Sequence, residues 1–192
     1  MARPDKRGEI LGAALQIIAE QGFHGAPMAM IAEKAGVAAG TIYCYFESKD
    51  ILIKELYRDI EEKLLEALRE GYQTERPIRE RFLHLGTGFL KYWSTHPLEF
   101  KYMEQFHNSP YGAALRRGRF AKETKDNCLP YPILFEQGIS QQVIKDLPDV
   151  VLFALAFGPM ITLTRDHILG FIVLDDQLIE KTITACWDGI RQ

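Results

Sequence analysis

An all-α fold is predicted by three observations. Apolar residues recur at spacings of three and four through most of the chain, Gly and Pro punctuate these runs, and no segment alternates with period two for long. Gly170 to Leu174 is the one brief β-prone run. At 192 residues and 47% hydrophobic, the chain can bury a substantial core in one or two domains.

A first helix is expected from near Asp5 to Gln21, where Ile10, Leu11, Ala14, Leu15, Ile17 and Ile18 form one broad apolar stripe. Gly22 stops it, and Phe23 is placed to close the core of a three-helix head. The second helix begins at Pro27, whose fixed φ suits a first helical position, and runs to Ala35. Gly36 ends it, because glycine adopts positive φ without a Cβ clash. Val37, Ile42 and Phe46 then supply apolar anchors on roughly one face. Thr41, Tyr43 and Tyr45 fall on the other side with hydroxyls outward, and Lys49 follows at the head of the next helix. Hydroxyls and a cation on a lightly buried helix suit a phosphate-lined groove better than a small-molecule cleft.

A fourth helix, opened by Ser48, repeats apolar residues at Leu52, Leu56, Ile60 and Leu64 and continues to about Arg69. The pattern breaks from Gly71 to Pro77 and resumes over Ile78 to Thr95, aligning Phe82, Leu85, Phe89 and Trp93. Pro97 starts a shorter helix, Leu98 to Phe106, followed by a turn at Asn108 to Gly112. One helix, broken or kinked by Pro130 and Pro132, is expected from Ala113 to Gln137, with Gly138 ending it. Pro148 to Arg165 is apolar nearly all round. Asp175 to Arg191 is amphipathic, with Ile179, Ile183, Trp187 and Ile190 on one face.

The stretch from Ile10 to about Tyr57 resembles the DNA-binding head of the TetR family of bacterial regulators. The resemblance rests on Ile10-Leu11-x-Ala13-Ala14, Gly22-Phe23, Ile31-Ala32-x-x-Ala35-Gly36-Val37, Gly40-Thr41-Ile42-Tyr43-x-Tyr45-Phe46 and Lys49-Asp50-x-Leu52. It implies a helix-turn-helix domain over residues 1–48 and a ligand-binding and dimerisation domain over 49–192, with 49–69 as the connecting helix. It also implies that Thr41, Tyr43 and Tyr45 touch phosphates or base edges and that Lys49 holds a phosphate. Ala26 departs from the family's capping threonine or serine, a loss of ~1 kcal/mol.

In such a motif the second helix enters the major groove with its N-terminal residues over the bases. Here these are Ala38, Ala39, Gly40 and Thr41, small residues suited to thymine methyls and close backbone approach. Arg3, Lys6 and Arg7 form a basic arm able to reach backbone or minor groove. Residues 1–58 nevertheless carry seven cations against seven acids, and the whole chain is at −3. DNA affinity must therefore come from placement of a few donors rather than net charge.

One head presents few base donors, so a homodimer on a palindromic operator is expected. Val151 and Leu155 with Ile179, Ile183 and Trp187 are the candidate dimer interface, resembling the family's four-helix arrangement. Sixteen of the 21 aromatic residues lie beyond residue 57. Phe89, Trp93, Tyr102, Phe106, Tyr131, Phe135 and Phe157 are the candidate lining for a small apolar or amphipathic effector.

Other classes lack support. There is no nucleophile elbow, phosphate-binding glycine loop or His/Glu metal motif, so no catalytic residue, metal or cofactor is expected. Cys44, Cys128 and Cys186 have neither disulfide nor metal spacing, and Cys44 reads as a small reduced side chain. No apolar run reaches the ~18 residues of a membrane span, and Met1 to Arg7 has no apolar signal core, pointing to a cytoplasmic protein. A regulator, most simply a repressor, is the reading. The alternative is a helical adaptor whose head serves protein contacts, separable by the steep salt dependence of duplex binding.

Overall fold

The computed structural model describes residues 5–120 and 130–192. Among them the only β-type pairing is an isolated antiparallel bridge between Ile144 and Arg191, so the all-α expectation holds. The chain packs into two compact units, which cut across the expected division at residue 48. One comprises residues 1–62 with 98–126, the other 63–97 with 127–192.

The first unit contains α1 (Lys6–Gln21), α2 (Met28–Lys34), α3 (Ile42–Tyr45) and the first part of α4 (Lys49–Arg69). It also holds nearly all of α6 (Pro97–His107) and α7 (Pro110–Phe120). The Asp5 side chain caps α1 by accepting from the Gly8 N–H at 3.1 Å, and Ile10, Ala14 and Ile18 are fully buried beneath it. Pro27 sits one residue before α2 rather than inside it, and no side chain caps that helix. Ala26 is completely buried, so its methyl contributes packing where a hydroxyl would have contributed a cap.

Phe23 does not simply close a three-helix core. Its ring meets the edges of Tyr102 at 6.0 Å and Tyr111 at 5.6 Å, from α6 and α7. Three polar contacts join the same helices to the rest of the unit. Tyr102 Oη donates to the Ile53 carbonyl at 2.6 Å, Tyr111 Oη to Asp50 at 2.6 Å, and Gln105 to the Ala19 carbonyl at 3.3 Å. Phe106 stacks on Tyr57 with centroids 4.2 Å apart.

The second unit contains the end of α4, α5 (Ile78–Thr95), α8 (Tyr131–Ser140), α9 (Asp149–Ile168) and α10 (Asp176–Ile190). Phe157, fully buried, is its hub, with Tyr131 at 4.2 Å, Phe153 at 5.0 Å, Phe89 at 5.3 Å and Phe82 at 6.2 Å. Helix α9 is continuous through Gly158-Pro159. Its burial against α5 and α10 outweighs the one backbone hydrogen bond that proline removes.

Of the helix expected from Ala113 to Gln137, α7 begins earlier, at Pro110, α8 starts at Tyr131, directly after Pro130, and 121–129 lie outside the described residues. Gly138 does not end α8, which reaches Ser140. Gly170 to Leu174 forms a turn, closed by the Leu174 N–H donating to His167 Nδ1 at 3.3 Å.

Candidate nucleic-acid interface

The turn between α2 and α3 is fixed by backbone geometry. Gly36 has φ +63°, and its N–H donates to the Glu33 carbonyl at 3.0 Å while the Val37 N–H reaches Ala32 at 3.0 Å. This paired closure is a Schellman motif, and a Cβ at residue 36 would strain it. The chain then leaves α2 sharply enough to begin α3 six residues later, with the Thr41 N–H bonded to the Ala38 carbonyl at 2.8 Å.

Helix α3 is anchored by only two side chains, Ile42 at 0% and Phe46 at 1% exposure. Everything the sequence assigned to DNA contact on this segment faces solvent: Ala38, Ala39, Gly40, Thr41, Tyr43 and Tyr45. Tyr43 is 53% and Tyr45 44% exposed, high values for rings in a folded head. Gly40 has open space where a side chain would project, so the fold itself places no demand for glycine there. A bare backbone on an exposed surface suits close approach by a partner.

Lys49 opens α4 half-buried, with Nζ donating to the Phe23 carbonyl. Ser48 caps the same helix, its hydroxyl accepting from the Ile51 N–H at 3.3 Å. An ammonium has three donors, so the Phe23 bond aims Lys49 while leaving two for a phosphate. The basic arm is only partly as expected. Lys6 is exposed and pairs with Glu9 at 2.7 Å. Arg7 is tied down by Glu55 and lies over the Phe46 ring, 5.5 Å from its centroid, so it braces α3 rather than reaching outward. Arg3 lies outside the described residues. Cys44 is exposed, Cys186 buried, and Cys128 lies outside the described residues.

The seven candidate effector contacts divide between the two units. Phe89, Trp93, Tyr131, Phe135 and Phe157 are buried in the second, where Phe157 meets Tyr131 and Phe89, and Phe89 meets Trp93. Tyr102 and Phe106 belong to the first, where they hold α6 against α4. A groove of about 390 Å³ between α5 and α10, lined by residues including Arg79, Leu83, Thr87 and Lys91, contains none of the seven.

The dimer candidates also divide. Val151 and Leu155 are exposed on α9, beside Val150 and Phe153, at 38–55%. Ile179, Ile183 and Trp187 are instead buried within the chain, Trp187 against Phe82 at 5.4 Å. The stripe on α10 has one apolar face, and α5 and α9 already cover it.

Among the described residues, no group of three or more His, Cys, Asp or Glu side chains is placed to hold a metal ion. None of their helices is long and apolar enough to cross a membrane.

A Schellman-closed turn, a short helix held by two buried anchors, and an outward face of small residues and hydroxyls define the helix-turn-helix class of DNA-binding proteins. The model of bacterial regulatory proteins of the tetR family matches residues 10–56, and the tetracyclin repressor-like C-terminal domain matches residues 77–191. The chain belongs to the TetR family and is a DNA-binding transcriptional regulator, not an enzyme. A solved TetR family protein from Vibrio parahaemolyticus is 34% identical, covering 98% of this chain and 100% of that one, with a TM-score of 0.77. An HTH-type transcriptional regulator of Haemophilus influenzae is 23% identical over 191 residues, 100% of this chain and 98% of its own. FadR of Bacillus subtilis, solved in complex with stearoyl-CoA, shares the fold at 19% identity with a TM-score of 0.76, covering 95% of this chain and 98% of that one.

Proposed function

We propose that this regulator is a repressor that binds a palindromic operator as a homodimer and is released by an apolar or amphipathic acyl-chain effector. The observation that carries the reading is the exposed face from Ala38 to Tyr45, whose two rings and bare Gly40 backbone stand in solvent without an internal role. In this reading residues 1–48 bind DNA and residues 49–192 take the ligand and dimerise, with 49–69 connecting them. The exposed apolar side chains Val150, Val151, Phe153 and Leu155 on α9 support pairing of two copies across that helix. FadR neighbours, one of them holding stearoyl-CoA, support the effector class.

Release follows if an effector favours one placement of α4, which contributes its first part to one unit and its last to the other. The coupling equals the effector's difference in affinity for the DNA-bound and free states, commonly about 1–3 kcal/mol. The test is to select the bound duplex from a random pool and titrate it with and without long-chain acyl-CoA. The expected result is a twofold-symmetric site and an affinity lowered about 5- to 150-fold by the effector. A site without symmetry, or an affinity unmoved by every ligand that binds, refutes the proposal.

A further inference from the structure

One cluster in the unit of residues 63–97 and 127–192 is unused by DNA binding. Arg81 on α5 is only 4% exposed, yet no carboxylate among the described residues pairs with it. Its Nε donates to the Tyr72 hydroxyl at 2.9 Å and its Nη1 to Gln137 Oε1 at 2.7 Å, both neutral groups. The guanidinium lies 5.5 Å from the Tyr72 ring centroid, and Nη2 has no hydrogen-bond partner among the described residues. Glu75, which feels the charge of Arg81, is itself fully exposed and accepts from Thr74. A guanidinium keeps its charge at any relevant pH, so burial without a counter-charge is costly.

A second irregularity lies on α8, the helix whose Gln137 accepts from Arg81. The Tyr131 hydroxyl is completely buried and has no hydrogen-bond partner among the described residues. Burial, with Tyr72 adding to it, pushes this phenol far above its ordinary pKa, so it remains an O–H donor lacking an acceptor. Tyr72 links the two anomalies, because it holds Arg81 directly and acts electrostatically on Tyr131. An anion within reach of both groups would satisfy the orphaned donor and the unpaired cation. Immediately beside them are apolar rings: Phe157 at 4.2 Å from Tyr131, and Phe82, next to Arg81 in sequence, at 6.2 Å from Phe157.

We propose that Arg81 and Tyr131 anchor the carboxylate of an effector whose hydrocarbon chain runs among the rings around Phe157. This rests on the acyl-chain effector reading above and specifies its headgroup as a free acid. Because the rings already touch, entry requires them to part, which the neighbouring Trp187 reports by fluorescence.

The experiment titrates the full-length protein calorimetrically with dodecanoate, dodecanol and dodecanoyl-CoA, comparing wild type with Arg81→Met, Arg81→Lys and Tyr131→Phe. The expected result is dodecanoate binding about tenfold or more tighter than dodecanol in the wild type. Arg81→Met abolishes that preference, while Arg81→Lys and Tyr131→Phe reduce it, with dodecanol affinity unchanged. Thermal melts identify any variant that fails to fold, and Tyr131→Phe then decides the matter alone. Equal binding of acid and alcohol, or a preference that survives substitution, overturns the inference. Binding of dodecanoyl-CoA alone, equally tight in Arg81→Met, overturns the carboxylate anchor and leaves the effector reading standing. Failure of all three to bind overturns both.

Discussion

Replacing Lys49 by alanine separates two roles that one ammonium is expected to combine. Its Nζ bonds to the Phe23 carbonyl, joining the start of α4 to the loop after α1. A hydrogen bond from a charged donor contributes about 1.5–3 kcal/mol, and the half-buried setting of Lys49 argues for the lower end. A loss of about 1.5 kcal/mol lowers the melting temperature of a chain this long by about 3–6 °C. The remaining two donors are available to one phosphate in each half-site. Losing that contact reduces the slope of log affinity against log salt by about 0.9 per head, roughly 1.8 for a dimer. Calorimetric melts and anisotropy titrations on the selected duplex across a salt series measure the two effects independently. A lowered melting temperature with an unchanged salt slope would confine Lys49 to bracing the head. An unchanged melting temperature would show that the Phe23 bond contributes nothing to the fold.

Tyr43→Phe removes a hydroxyl from a ring 53% exposed, so it should weaken binding to all duplexes by a few-fold while leaving the melt within about 0.5 kcal/mol; full affinity on a panel of sequences would remove Tyr43 from the interface. Leu155→Asp on the exposed face of α9 should yield a folded monomer by sedimentation, whereas Trp187→Ala, inside the core, should cost about 3–5 kcal/mol of stability. The opposite pattern would reverse the assignment of inner and outer faces. Burial and its bond to Asp50 raise the Tyr111 phenol from 10.0 to about 12. The folded state therefore resists ionisation that the unfolded chain undergoes. This contribution is fully present below about pH 10 and is lost as pH rises towards 12. Tyr111→Phe should flatten that alkaline decline in melting temperature, and an identical decline in the variant would refute the assignment.

The local architecture of the head is legible in short-range sequence pattern. A glycine required at φ +63°, two apolar anchors at Ile42 and Phe46, and polar rings between them are enough to define the turn and its outward face. These are short-range constraints, set by backbone sterics and one helical period. Periodicity likewise gave the apolar stripes of α1, α4, α5 and α10, because a helix must bury such a face somewhere. It could not say against what. The stripe on α10 reads equally well as core or as interface, and only packing on α5 and α9 shows that Ile179, Ile183 and Trp187 are interior.

Contacts made over long stretches of chain depend on packing that no local pattern encodes. Tyr102 and Phe106 lie between helical segments of the second unit in sequence yet pack on α4 of the first, through a hydroxyl bonded to Ile53 and a ring on Tyr57. Nothing in their local spacing encodes a partner 49 residues away. Arg7 reads as a free cation until Glu55 and Phe46 are brought beside it. Arg81 reads as one more surface charge on an amphipathic helix until α8 covers it. Burial of a polar group is a property of what folds over it, and that is fixed by the sum of distant contacts rather than by neighbours in sequence.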